Sequence, residues 1–257
     1  MNKVALITGA SSGIGKEFCQ IHAEKGGDLV VVARRQDNLE LLKTELENKF
    51  SIKVMVIAKD LSLPNAPKEI YDEIKKTGIV VDYLINNAGF GGLGKFHERA
   101  WEQDHSMIMV NIMALTELTR LFLPDFVKRN KGKILNVSSS AAFLPGPLQA
   151  VYYASKSYVT SFSNALAEEL YDTNITVTAL MPGAADTEFA KVSGMDKASS
   201  DKSGFSARKV ATEGYDGMLK GKLNVVSALF SQKLMVKFIP FLPKKMLLKA
   251  IRKMQEV

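Results

Sequence analysis

The stretch Val151-Tyr152-Tyr153-Ala154-Ser155-Lys156 joins two phenols to an amine at a spacing that can do chemistry. Residues four apart on a helix share a face, so Tyr152 and Lys156 would place an ammonium beside a phenol. A cation about 4 Å away at an effective dielectric near 20 is worth roughly 4 kcal/mol. That would move a phenol some three units down from its ordinary value near 10, making it a usable proton donor or acceptor. The pair is not unique, because Lys75 follows Tyr71 at the same interval in a solvated amphipathic pattern. The surrounding residues must decide.

A helix has to hold the pair. Val159, Phe162, Ala165, Leu166 and Leu170 recur at helical spacing, so a helix over 151–173 is expected after the Leu144-Pro145-Gly146-Pro147 loop. Upstream, apolar runs at 3–8, 28–33, 53–58, 80–86, 133–138, 175–180 and 223–227 read as strands. Helical patterns alternate with them at 13–25, 36–49, 66–77, 101–130 and 206–219. The run Leu29-Val30-Val31-Val32-Ala33 suits a strand buried on both faces. The rhythm predicts an α/β fold: one Rossmann-type domain over 1–257, a doubly wound parallel sheet of about seven strands with helices on both faces. Residues 184–205, rich in Ser, Lys, Asp and Gly, are expected to form a substrate lid.

The loops after the strands carry a second kind of chemistry. Gly9, Ser11, Ser12, Gly13, Ile14 and Gly15 lie between the first strand and the first helix. Glycines there allow a tight turn, and a helix N-terminus offers N–H groups to a pyrophosphate. The spacing is G-x-x-x-G-x-G rather than G-x-G-x-x-G, and the flanking strand and helix support a dinucleotide site. Arg34 and Arg35 close the second strand, with no acid before Asp37, which favours NADP(H) over NAD unless both arginines are merely a solvated strand end. Asp60 and Leu61 follow the third strand, and Asn87, Ala88 and Gly89 the fourth, outlining a ligand groove. Asn111 interrupts an apolar helical run, either as a satisfied core amide or as part of a proton relay.

Composition narrows the alternatives. Of a net charge of +7, +6 falls within 232–257, so the body is nearly neutral, and no nucleic-acid module accompanies the charge. One cysteine, Cys19, forbids an intramolecular disulfide and suits a reducing, cytoplasmic setting. The three histidines are scattered, and no metal site is expected. A strand pattern beginning at residue 3 argues against a signal peptide, and no uninterrupted apolar run approaches 18 residues.

With the glycine loop, Asn86–Gly89, Asn111, Ser139, Tyr152 and Lys156 in order, the sequence resembles the short-chain dehydrogenase/reductase family. The likeness runs from Lys3 to about Thr187, where Pro182, Gly183 and Thr187 fit the family's nicotinamide loop. Ser157, not a lysine, stands four after Tyr153, so Tyr152 is the matching tyrosine; Ser139 fits the family spacing, with Ser138 and Ser140 facing away. The resemblance implies that Tyr152 protonates a substrate carbonyl and Ser139 hydrogen-bonds its oxygen. Lys156 would lower the phenol pKa and hold the nicotinamide ribose, and Asn111 would support a water relay. Ser12 stands where some NADP-using members carry a basic residue, which weakens the NADPH reading slightly.

Within the family, the stretch 133–148 is similar to the branch of hydroxysteroid dehydrogenases and long-chain 3-oxoacyl-CoA reductases. Those relatives carry a membrane segment ahead of the glycine loop, and none is expected here. The implied activity is NADP(H)-dependent interconversion of a carbonyl and an alcohol on a hydrophobic small molecule, a ketone, steroid-like or 3-oxoacyl compound. A homodimer or homotetramer is the implied assembly. Phe143, Leu144, Met181, Phe189 and Met195 are the expected pocket residues. A non-catalytic dinucleotide sensor on the same fold is the alternative, and it would be expected to lose Tyr152 or Lys156. The apolar, lysine-rich tail at 238–253 suits either a helix packed over the cleft or a helix at a membrane surface.

Overall fold

The computed structural model describes residues 2–183, 185–186, 205–228 and 243–256. Seven parallel strands form the sheet: β1 (Val4–Thr8), β2 (Asp28–Ala33), β3 (Val54–Ala58), β4 (Tyr83–Asn86), β5 (Gly132–Val137), β6 (Ile175–Pro182) and β9 (Asn224–Ser227). Their order is β3-β2-β1-β4-β5-β6-β9. The chain therefore reverses its direction of travel between β1 and β4, which pair from Ala5 with Tyr83 to Ile7 with Ile85. A small parallel pair, β7 (Ala185–Asp186) and β8 (Phe205–Ser206), stands apart from the main sheet.

Two cores cover the two faces. Alternate residues of β2 divide between them, Leu29 and Val31 on one side and Val30 and Val32 on the other. Phe18 of α1 (Gly13–Glu24), Leu42 of α2 (Gln36–Phe50) and Tyr215 of α7 (Ala207–Leu219) close the first face. Ile70 of α3 (Ala66–Thr77), Phe122 of α5 (Leu115–Arg129) and Leu166 of α6 (Ala150–Glu169) close the second. This double burial explains why the strands read as continuous apolar runs.

The long helix expected over 101–130 is not uniform. α4 (Trp101–Ile108) passes through a π-helical segment, Met109–Ala114, before α5 continues to Arg129. By length and composition Trp101–Arg129 could cross a bilayer. Ala114, Leu118, Phe122 and Phe126 instead enter the second core, as the core helix of an α/β sheet should. The 151–173 expectation shortens to Ala150–Glu169. The lid at 184–205 and tail residues 232–242 fall almost wholly outside the described residues, and the tail resumes as α8 (Lys244–Gln255).

Candidate active site

The C-terminal ends of β1 and β4 are tied together by side chains. Thr8 Oγ1 accepts from the backbone N–H groups of Asn87 and Ala88, each at 3.0 Å. Asn87 Nδ2 donates back to Thr8 O at 2.9 Å and to Gly9 O at 3.3 Å. Beneath, Asn86 Nδ2 donates to Asn136 Oδ1 at 2.9 Å, and Asn136 Nδ2 to Ser163 Oγ at 2.9 Å, linking β4, β5 and α6 in a buried polar chain. The crevice at the switch point is thus held from three sides.

The glycine loop fits a dinucleotide on its own geometry. Gly9 has φ +66°, and a Cβ on Gly15 would stand 2.1 Å from Gly9 O, so only glycine lets α1 approach so closely. Ser12 caps α1 in extended conformation without a side-chain cap bond, which leaves first-turn N–H groups for an anion. Arg35 Nη2 donates to Ser11 Oγ at 3.2 Å and Ser12 Oγ at 2.9 Å. A guanidinium therefore lies beside Ser12, where the loop itself has no basic residue. Arg34 is exposed at the neighbouring strand end.

The remaining groove residues divide. Asp60 Oδ1 accepts from Ser62 N at 2.9 Å and Ser62 Oγ at 2.8 Å, a local turn that leaves its other oxygen out of this bond. Leu61 puts its side chain into the second core, so only its backbone can face a ligand. Pro182 ends β6, and Gly183 N donates to Ser227 O at 2.8 Å. Thr187, Phe189 and Met195 lie outside the described residues. Met181 is 1% exposed and belongs to the interior rather than to a substrate pocket.

Ser139, Tyr152 and Lys156 converge at the end of β5. Ser139 leaves the strand in extended conformation and its Oγ accepts from Ala141 N at 3.1 Å, starting a 3-10 turn. The same hydroxyl is hydrogen-bonded to Tyr152. Ser138 points the other way, bonding Lys156 O at 2.8 Å and Thr160 Oγ1 at 2.7 Å. Lys156 Nζ donates to Val137 O at 2.9 Å and lies 5.8 Å from the Tyr152 ring centroid. Tyr153 turns outward, its Oη accepting from Gln255 Nε2 of α8 at 2.9 Å.

One expectation is corrected here. Tyr152 is not shifted down by Lys156; burial pushes it up to about 12, and the Ser139 hydrogen bond only partly opposes this. Burial also lowers Lys156 from 10.5 to about 8. The ammonium spends a hydrogen bond on the Val137 carbonyl, and burial dominates the shifts of both groups.

Asn111 lies in the π-helical segment, 1% exposed. Its Oδ1 accepts from Phe90 N at 3.1 Å, and its Nδ2 donates to Phe90 O and Ser155 Oγ, each at 3.0 Å. Ser155 Oγ in turn donates to Tyr152 O at 2.7 Å. A Cβ at Gly89 would stand 3.0 Å from Asn111 Oδ1 and 3.3 Å from Lys156 Nζ, so Gly89 keeps those two groups close across the loop. Asn111 is thus a satisfied buried amide that also ties the loop after β4 to the second turn of α6.

Sequence reasoning missed a buried ion pair nearby. Arg99 Nε donates to Asp104 Oδ1 at 2.9 Å and Nη1 to Leu93 O at 3.0 Å. Both residues line a small cavity with Met107 and Tyr152. An arginine between a glycine-rich loop and an acid five residues on was the available signal.

A family model described as short chain dehydrogenase matches residues 3–198. The chain belongs to the short-chain dehydrogenases. Among relatives, the very-long-chain 3-oxoacyl-CoA reductase of Mus musculus is 35% identical over 194 residues, covering 73% of this chain and 61% of that protein. The 17-beta-hydroxysteroid dehydrogenase type 3 of Homo sapiens is 35% identical over 195 residues, 74% of this chain and 62% of that one. The chain therefore matches about three fifths of those relatives' length. A short-chain dehydrogenase from Sphingobium yanoikuyae, solved in complex with NADPH, superimposes with a TM-score of 0.82 at 30% identity, over 87% of both chains. Ser139, Tyr152 and Lys156, the residues that match the family's motif, lie together at the end of β5.

Proposed function

We propose that this short-chain dehydrogenase is an NADP(H)-dependent carbonyl reductase or alcohol dehydrogenase for a hydrophobic substrate, a ketone, a steroid-like compound or a 3-oxoacyl thioester. The observation that carries the reading is the buried meeting of the Ser139 hydroxyl, the Tyr152 phenol and the Lys156 ammonium beside the switch-point crevice. Gly9, Ser11, Ser12, Gly13, Ile14 and Gly15 would hold the pyrophosphate, Arg35 with Arg34 the 2′-phosphate, and Asp60 with the Leu61 backbone the adenine. Asn87, Ala88, Gly89, Pro182, Gly183, Tyr152 and Lys156 would hold the nicotinamide half. Bound there, the cofactor supplies the hydride.

The chain's own residues handle the proton. Tyr152 keeps its hydrogen up to about pH 12, so at neutral pH it is a proton donor, which suits reduction. Ser139 Oγ, already accepting from Ala141 N, has its hydrogen for an oxygen at Tyr152. Lys156, near 8, is mostly charged at neutral pH and fixed by Val137 O, ready to stabilise the phenolate once the proton leaves. Asn111 and Ser155 hold the backbone of that turn in place.

Likeness to a very-long-chain 3-oxoacyl-CoA reductase and a 17-beta-hydroxysteroid dehydrogenase supports an acyl or steroid substrate, and Phe143 and Leu144 line an apolar groove beside Tyr153. The exposed Trp101, Met113 and Tyr158 on α4, the π-helical segment and α6 support assembly of copies through these helices. A cytoplasmic setting is supported by the single buried, unpaired Cys19. The test is a screen of bulky ketones, oxosteroids and 3-oxoacyl thioesters for oxidation of NADPH and NADH. Turnover of at least one class with NADPH favoured is expected. Cofactor binding without any turnover would instead indicate a non-catalytic sensor.

A further inference from the structure

The last helix presents two unlike faces. Ile251 is buried, Leu247 and Leu248 are half-buried, and Gln255 bonds Tyr153, so this side is packed on the body. Leu248 closes the apolar groove of about 580 Å³ formed with Phe143, Leu144, Pro147 and Tyr153. The opposite side is not covered by the described residues. Met246 and Met254 are 69% and 79% exposed, and with Ala250 they form one stripe at intervals of four. Beside that stripe run Lys245, Lys249, Arg252 and Lys253, all exposed. The one acid of the helix end, Glu256, is engaged by Arg252 at 3.3 Å.

We propose that this outer face of α8 docks on an anionic phospholipid surface. An exposed apolar stripe alongside a basic one is what a helix lying in the headgroup plane requires: apolar side chains enter the acyl boundary while cations meet the headgroups. Charge complementarity selects this occupant. A second copy would bring the same basic face and repel, and a nucleic acid would satisfy the lysines while leaving both methionines in water. The proposal does not depend on the reading of the reaction.

The full chain should be floated with vesicles of phosphatidylcholine alone and with phosphatidylglycerol added. Flotation with the anionic vesicles, weakened by raised salt, is expected. Lys245→Glu/Lys249→Glu/Lys253→Glu should weaken binding by about a hundredfold or more, at the worth of each basic residue near such a surface. Met246→Ser/Met254→Ser should weaken it as well, both variants keeping the parent's unfolding temperature within a few degrees. Should either variant fail to fold, the salt and lipid dependence of the parent decides. No flotation, equal flotation with neutral vesicles, or undiminished binding by the folded charge-reversed variant would overturn the proposal.

Discussion

The phenol at Tyr152 and the amine at Lys156 each carry a burial penalty that their mutual attraction does not cancel, and the signs of their shifts have measurable consequences. Lys156 holds its proton less tightly in the fold, near 8, than in the unfolded chain, near 10.5. Between those values the unfolded chain binds more protons, so stability rises as pH climbs through that window. Tyr152 acts oppositely: the folded chain keeps the proton between about 10 and 12, and stability falls there. Lys156→Met removes a penalty that is fully present below pH 8. Its expected effect at pH 7 is a gain of about 1–3 kcal/mol after the lost bond to Val137 O, together with loss of activity. Thermal unfolding across pH checks this; a less stable variant with an unchanged pH slope contradicts it. Arg35 supplies a second residue-scale test, because its guanidinium reaches the glycine loop. Arg35→Asp should reduce the preference for NADPH over NADH by about ten- to a hundredfold. Unchanged ratios of kcat/KM would remove Arg35 from the cofactor site.

Among the elements, the broken helix from Trp101 to Arg129 shows where sequence reading stops. Its apolar periodicity announces a helix, and Asn111 stands out inside it as an amide needing partners. The π-helical turn is not visible, because it depends on Phe90 and Ser155 offering those partners across space. The serine trio was legible in part: the family's spacing selected Ser139, but β5 ends at Val137 and Ser140 already opens the 3-10 turn, so strand alternation does not reach it. The loop ahead of this helix is pinned by Arg99 and Asp104, whose side chains are 12% and 3% exposed. Asp104→Ala strands that guanidinium and should cost about 3 kcal/mol by denaturant unfolding. The double variant Arg99→Met/Asp104→Leu should recover at least half of the loss. A cost below about 1 kcal/mol for the single change would show that the pair does not hold the loop.

At the scale of the molecule, parallel order and double-sided burial followed from unbroken apolar strands, and the crevice followed from loops at successive strand ends. What stayed hidden were the ties that make the crevice rigid: Thr8 with Asn87, and the chain from Asn86 through Asn136 to Ser163. Each joins residues distant in sequence, so no local pattern reports it. The sign of the Tyr152 shift was hidden likewise, since burial depends on how both cores close around α6. Under the proposed function, those ties would keep the crevice in shape beside Tyr152 and Ser139. The most direct test is single-turnover reduction of an accepted ketone by the parent and by Tyr152→Phe, with NADPH binding measured on both. The account predicts a rate lower by about a thousandfold or more, with NADPH affinity within about threefold of the parent, a change below about 1 kcal/mol. A variant that turns over within tenfold of the parent would contradict it.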